Sequence, residues 1–156
     1  MNSTLPTGVR IEEVTFANVN AACRLEVHPD QRPFVAPVVH SLAEAYASRE
    51  TAWPRLMYDG DTLVAFVMGN FSPDNPIDVF RCGIWRLNVG ADHQGKGYGR
   101  IAVNAVIDEA RSRGSQRTTV LWKPGEKGPE QFYLRLGFQP TGQEMDGEIV
   151  AELHLT

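Results

Sequence analysis

Seven consecutive residues, Gln94-Gly95-Lys96-Gly97-Tyr98-Gly99-Arg100, carry the clearest chemical signal in this 156-residue chain. Gly95, Gly97 and Gly99 strip side-chain bulk from a stretch that runs into a helical pattern, so the unpaired N–H groups of a helix start can come close to a ligand. The partial positive charge of a helix N-terminus favours an anion there, most economically a phosphate. Gly90, Gly95 and Lys96 fit the P-loop spacing G-x-x-x-x-G-K, but Gly97 stands where that pattern needs the Ser or Thr that binds magnesium. The dinucleotide pattern G-x-G-x-x-G fails as well, because these glycines are spaced G-x-G-x-G and no early strand–helix–strand unit precedes them. A turn built only for chain reversal is the plain alternative.

The elements on either side position this loop. Before it, Ile84 to Val89 alternates, which predicts a strand with Trp85, Leu87 and Val89 on one face and Arg86 and Asn88 on the other. After it, Ile101, Val103, Val106, Ile107 and Ala110 recur at helical spacing until Gly114 offers a stop. Upstream, a strand is expected over Val9–Val14 and a short helix over Asn18–Leu25. A break follows at Val27 to Pro33, where two prolines interrupt the chain, and then a helix over Pro37–Ser48 with Val38, Val39, Leu42, Ala43 and Tyr46 inward. Two apolar runs flank Asp59-Gly60-Asp61-Thr62, a hairpin signal. Downstream come a strand at Arg117–Trp122, a loop at Lys123–Gly128, and a short helix started by Pro129 and closed by Gly137. Two final strands are separated by Asp146-Gly147. The resulting order is β-α-α-β-β-β-α-β-α-β-β.

Length and composition fit one domain over residues 1–156, with 42% hydrophobic and 22% charged residues. The longest apolar run, around Leu63 to Met68, is too short to span a bilayer, and Met1 to Arg10 has no signal-peptide core, so the cytoplasm is the expected compartment. A net charge of −4 argues against nucleic acid and suits a cationic substrate. Cys23 and Cys82 are isolated and expected as reduced, mostly buried thiols. The four histidines lack metal-binding spacing, so no metal is expected. A second copy of the chain is carried as a candidate partner.

Gln94, Gly97 and Gly99 match position for position the Q/R-x-x-G-x-G/A signature of the GNAT N-acetyltransferase superfamily, whose loop holds acetyl-coenzyme A, and the element order resembles that superfamily's. Phe132-Tyr133-Leu134-Arg135-Leu136-Gly137-Phe138 is similar to its F-Y-x-x-x-G-F segment, whose tyrosine sits beside the coenzyme sulfur. Two departures are Ala91, where a proline is common, and Glu126, where an asparagine coenzyme contact is common. The stretch Val27 to Tyr46, with Gln31, Phe34, Val35 and Ser41 to Tyr46, and the later Asp146-Gly147-Glu148 resemble bacterial diamine and spermine/spermidine acetyltransferases. The resemblance implies an α/β (α+β) fold, a mixed and mostly antiparallel sheet of about seven strands flanked by helices. It also implies acetyl-CoA as cosubstrate, contacted by Leu87, Asn88, Val89 and Gln94 to Arg100.

Acetyl transfer to an amine needs a neutral amine, a polarised carbonyl and a proton for the departing thiolate. Backbone N–H groups around Leu87 to Val89, splayed where the loop begins, could polarise the thioester. Tyr133, with an ordinary phenol pKa near ~10, could supply the proton, although an aromatic at a helix centre also suits plain packing. Glu26 and Glu44 are candidate bases or amine anchors, beside His40, Arg86 and Asn88. The expected function is acetyl-CoA-dependent acetylation of a small primary amine, a polyamine or diamine. The alternatives are a protein N-terminus, a lysine or an aminoglycoside-like drug, and, from another class, a non-catalytic acetyl-CoA-binding module.

Overall fold

A computed structural model describes residues 4–156. In chain order it contains β1 (Val9–Glu13), α1 (Val19–Arg24), a 3-10 segment (Pro29–Phe34) and α2 (Val38–Ala47). Then come β2 (Ala52–Asp59), β3 (Thr62–Phe71), β4 (Cys82–Val89), α3 (Tyr98–Ser112), β5 (Arg117–Trp122), α4 (Glu130–Arg135), β6 (Gln139–Met145) and β7 (Glu148–His154). The order of helices and strands is the expected one. One seven-stranded sheet runs β1-β2-β3-β4-β5-β7-β6, antiparallel throughout except between β4 and β5. Both hairpin signals hold. Asp59 pairs with Thr62 across Gly60-Asp61, and Met145 pairs with Glu148 across Asp146-Gly147. Asp146 and Gly147 both take positive φ, 51° and 80°, as a two-residue turn matched to strand twist requires.

The helices cover the two faces of the sheet. Ala102, Val103, Val106, Ile107 and Ala110 of α3 bury themselves with Met57, Val67, Phe71 and Ile84 of the strands, joined by Tyr133 of α4. On the other face Ala22 of α1 and Val38 and Ala45 of α2 pack on Leu56, Phe66 and Met68. The buried line of α2 is Val38, Ser41 and Ala45, while Val39 and Tyr46, expected inward, are 57% and 71% exposed. Small residues at the line of closest approach let the helix lie near the sheet, and this outweighs the hydrophobicity of its neighbours. Cys23, expected buried, is exposed on α1, and neither thiol is in a disulfide.

β4 departs from simple alternation. Met68 faces Arg86 and Gly69 faces Ile84, leaving Trp85 as an extra residue opposite the β3 backbone. This bulge turns Trp85 onto the α2 face with Phe66 and Met68, whereas Leu87 and Val89 stay on the α3 face. The expected shared face of Trp85, Leu87 and Val89 is therefore broken by one inserted residue, which reverses side-chain parity and bends the strand.

Where β4 bends, it leaves β5. The two strands pair only at Gly83 with Thr119 and Ile84 with Val120, while β5 stays paired with β7 as far as Trp122. The closed end of this split is tight. A Cβ at Gly83 would fall on Thr119 O and 2.5 Å from Thr119 Oγ1, and that hydroxyl donates to Val79 O at 2.6 Å. Gly83→Ala should therefore cost about 1–3 kcal/mol, the usual penalty of overpacking. Urea unfolding measures it, and a midpoint equal to the parent's would show that the strands do not meet this closely.

Candidate active site

The open end of the split leads to the glycine loop. Gly97 is the N-cap of α3 at φ 87°, and Gly95 has φ 76°. Nothing lies within 4 Å of a Cβ built on either one. The first backbone bond of the helix runs from Ile101 N–H to Gly97 O at 3.2 Å, so the N–H groups of Tyr98, Gly99 and Arg100 have no partner within it. Open space, unpaired donors and the positive end of α3 suit a phosphate-bearing cosubstrate. Gly99 does another job: its Cβ would lie 3.0 Å from Phe132 Cε1, so this glycine lets α4 seat against the start of α3. The Tyr98 hydroxyl donates to Asp59 at the β2–β3 turn, which pins the helix start to the sheet and holds that phenol above its usual range.

A cavity of about 1080 Å³ runs from this loop along the split. Of the residues singled out in the sequence, Leu87, Val89, Gln94, Gly95, Gly97, Tyr98, Gly99, Arg100 and Tyr133 line it, whereas Asn88, Lys96, Glu26 and Glu44 do not. Asn88 points to the α2 face, 2% exposed, and its Nδ2 donates to Ala36 O at 3.0 Å. It therefore ties β4 to the segment before α2.

Tyr133 is boxed by aromatic rings. It stacks on Trp122 at 5.7 Å and 6°, and meets Phe132 and Phe138 edge-on at 5.0 and 5.6 Å. Such ring pairs fix the side chain's orientation. Burial alone pushes its phenol well above the ordinary tyrosine range, because a phenolate there would lose its hydration without gaining a partner. The group is thus held protonated through the neutral range, as a proton donor needs to be.

The upstream carboxylates are engaged elsewhere. The Glu26 side chain is 74% exposed and 3.4 Å from Arg32. Glu44 accepts from Arg86 at 2.8 Å and lies 3.2 Å from His40. Arg86 reaches the cavity wall, but Glu44 stays behind it. The carboxylates that do line the cavity, Asp146 and Glu148, come from the β6–β7 turn and the first position of β7. In the sequence they stand out as a hairpin dipeptide and as part of the resemblance to diamine and spermine/spermidine acetyltransferases, and neither signal says what the turn overhangs. No group of three or more His, Cys, Asp and Glu able to hold a metal occurs among the described residues. No helix there is long and apolar enough to cross a membrane.

Comparisons with known proteins agree with this architecture. The chain is 30% identical over 84 residues to N-acetyltransferase 8F1 of Rattus norvegicus, a match covering 54% of this chain and 38% of the relative. The chain thus spans well under half the length of that curated relative. Among solved structures it superimposes on the ribosomal-protein-S18-alanine N-acetyltransferase of Escherichia coli with a TM-score of 0.68 at 19% identity, over 95% of this chain and 94% of that one. Arabidopsis thaliana Naa50, in complex with the bisubstrate analogue CoA-Ac-MVNAL, gives a TM-score of 0.68 at 20% identity, over 96% of this chain and 100% of that one. At such identities these two matches show the fold. The family model "Acetyltransferase (GNAT) family" matches residues 15–138, and on that match the chain belongs to the GNAT acetyltransferase family.

Proposed function

We propose that this chain is an acetyl-CoA-dependent N-acetyltransferase that passes an acetyl group directly to the primary amine of a small molecule. The observation that carries the reading is the split itself, since one cavity joins unpaired helix-start N–H groups at Tyr98–Arg100 to a buried, protonated Tyr133. Acetyl-CoA would supply the acetyl thioester. The N–H groups of Tyr98, Gly99 and Arg100 bind its pyrophosphate. Beyond Ile84, β4 has no β5 partner, so its edge at Leu87 and Asn88 is free to pair with the amides of the pantetheine arm and to donate to the thioester oxygen. Tyr133 gives its proton to the departing sulfur. Burial raises the pKa of a thiolate formed there as it does that of the phenol, so the transfer keeps only the small gap between an ordinary thiol and phenol, and the proton that the amine nitrogen releases as C–N forms and C–S breaks restores Tyr133.

The acceptor class is inferred from charge. A polyamine or diamine fits Asp146 and Glu148, which overhang the cavity, better than Glu26 and Glu44, whose charges are matched by Arg32 and Arg86. A peptide N-terminus is the second reading, favoured by two structural neighbours, a ribosomal-protein-S18-alanine N-acetyltransferase and an Naa50 bound to the bisubstrate analogue CoA-Ac-MVNAL. Coenzyme A release measured with spermidine, short diamines, monoamines and short peptides separates these readings. Turnover with peptides alone would overturn the polyamine assignment, and absence of turnover with every amine, despite CoA binding, would leave a coenzyme-binding module.

Two outcomes follow from the named residues. Tyr133→Phe keeps the ring and removes the proton, so kcat should fall roughly 10²–10⁴-fold while CoA affinity changes little. The phenol's raised pKa means it does not ionise in the assay range, whereas an alkylamine with pKa near ~10.4 gains its neutral form as pH rises. Hence kcat/KM should climb through neutral pH with no falling limb below about pH 10. A falling limb that starts near neutrality and vanishes in Tyr133→Phe would exclude a permanently protonated donor. Asp146→Asn and Glu148→Gln should raise KM for a diamine over that for a monoamine by roughly fivefold, the worth of a partly exposed ion pair of up to ~1 kcal/mol. Equal changes for both amines would remove these carboxylates from the acceptor site.

A further inference from the structure

We propose that Gln31 is a positioning residue for the coenzyme loop, latching the Pro29–Phe34 segment across the mouth of the split sheet through a reciprocal amide pair with Gln94. The inference rests on the function proposed above. Gln31 Nε2 donates to Gln94 Oε1 at 2.9 Å, and Gln94 Nε2 donates to Gln31 Oε1 at 2.5 Å, between residues 63 positions apart. Gln94 Nε2 also donates to Val89 O at 3.1 Å. A backbone carbonyl only accepts, so that contact fixes which end of the Gln94 amide is nitrogen.

A primary amide has two N–H donors, and Gln94 spends both inside the protein. Nothing on its side chain is left to donate to a phosphate. Its effect on the coenzyme is to hold the loop in shape, with the end of β4 on one side and Gln31 on the other. The residues that follow need such a hold. Gly95 and Gly97 sit at positive φ with no neighbour near a Cβ position, so their own packing does not fix them. Each loop conformation lost on binding then weakens affinity unless it is already restricted.

The segment that supplies Gln31 is itself anchored at both lips of the split. On the β4 side Ala91 N–H donates to Glu26 O at 2.9 Å, beside the amide pair. On the β5 side the Phe34 ring fills the space that Cβ atoms on Gly125 and Gly128 would need, 2.7 and 3.2 Å away. Lys123 Nζ there donates to Pro33 O at 3.3 Å. Pro29 and Pro33 restrict the backbone between these anchors. Gln31 therefore connects the phosphate loop to a stiff bridge whose far end lines the cavity with Phe34 and Val35.

Calorimetric titration of CoA into the full chain, with steady-state kinetics alongside, tests the latch. Gln31→Leu and Gln94→Leu keep side-chain size and remove the amide. Each should weaken CoA about tenfold, the scale of one or two hydrogen bonds. The double variant should bind no more weakly than Gln94→Leu, because both substitutions break one pair. The KM for acetyl-CoA should rise more than kcat falls, a split that general loss of stability would not produce. Gln31→Glu, which places an acceptor against Gln94 Oε1, should weaken CoA at least as much, and it carries the test should the leucine variant fail to fold. Parent-like CoA affinity in folded Gln31→Leu or Gln31→Glu, or losses that multiply in the double variant, would overturn the positioning role alone. A parent chain that binds no CoA would overturn the proposed function and this inference together.

Discussion

A sheet cannot open in its middle without cost, because every backbone N–H and C=O along the tear loses its partner and must find another. This sheet opens after two residue pairs, and much of the site follows from that break. β4 keeps β3 and β5 keeps β7, so each strand stays ordered while presenting one free edge to the cavity. The bulge at Trp85 begins the divergence, and α3, packed across β3 and β4 on one face, brings its N-terminus to the wide end.

The narrow end is held by contrast. Gly83 allows the backbones to touch, and Thr119 Oγ1 donates across the gap to Val79 O. Arg117, at the start of β5, donates to Glu152 of β7 at 2.6 Å and to Asp78 between β3 and β4. Arg117 lowers the Asp78 pKa, but that carboxylate is largely exposed, so its pairing fixes geometry more than it adds stability. No comparable link between β4 and β5 occurs toward the wide end among the described residues. There the aromatic stack around Tyr133 and the bridge from Gln94 to Lys123 set the spacing. The molecule is pinned at the apex and strapped at the mouth, which leaves the interior free to receive a ligand.

Local signals in the sequence carried the element order, both hairpins and the loop before α3, since glycine spacing, alternation and helical period are properties of neighbouring residues. What the sequence hid depends on residues far apart. The face of Trp85 turned on one unpaired position in the β3–β4 register, and alternation cannot reveal a bulge. The inward line of α2 was decided by the fit of Ser41 and Ala45 against the sheet, where Val39 and Tyr46 looked the better core residues. Glu26 and Glu44 were drawn toward the acceptor by their position in the chain, and only three-dimensional contact shows Arg32, Arg86 and His40 beside them. The Gln31–Gln94 pair joins residues from separate elements, and neither residue type announces the other.

Charge gives the last example of a whole-chain property misleading about a site. The chain is acidic, with a net charge of −4, yet, leaving out Arg32 and Arg86, which are paired with Glu26 and Glu44, the cavity wall holds Arg100, Lys123, Lys127 and Arg135 against Asp146 and Glu148. Low-dielectric walls focus the field of the charges that line a cleft, so the local set outweighs the distant surface in deciding what enters. Under the proposed function the basic majority suits the phosphates of the cosubstrate. The two carboxylates are confined to the β6–β7 turn and the first position of β7, the one stretch of wall where a cationic amine is favoured. What the wall favours is therefore set by the residues that the fold gathers there, and a sum of charges over the chain does not forecast it.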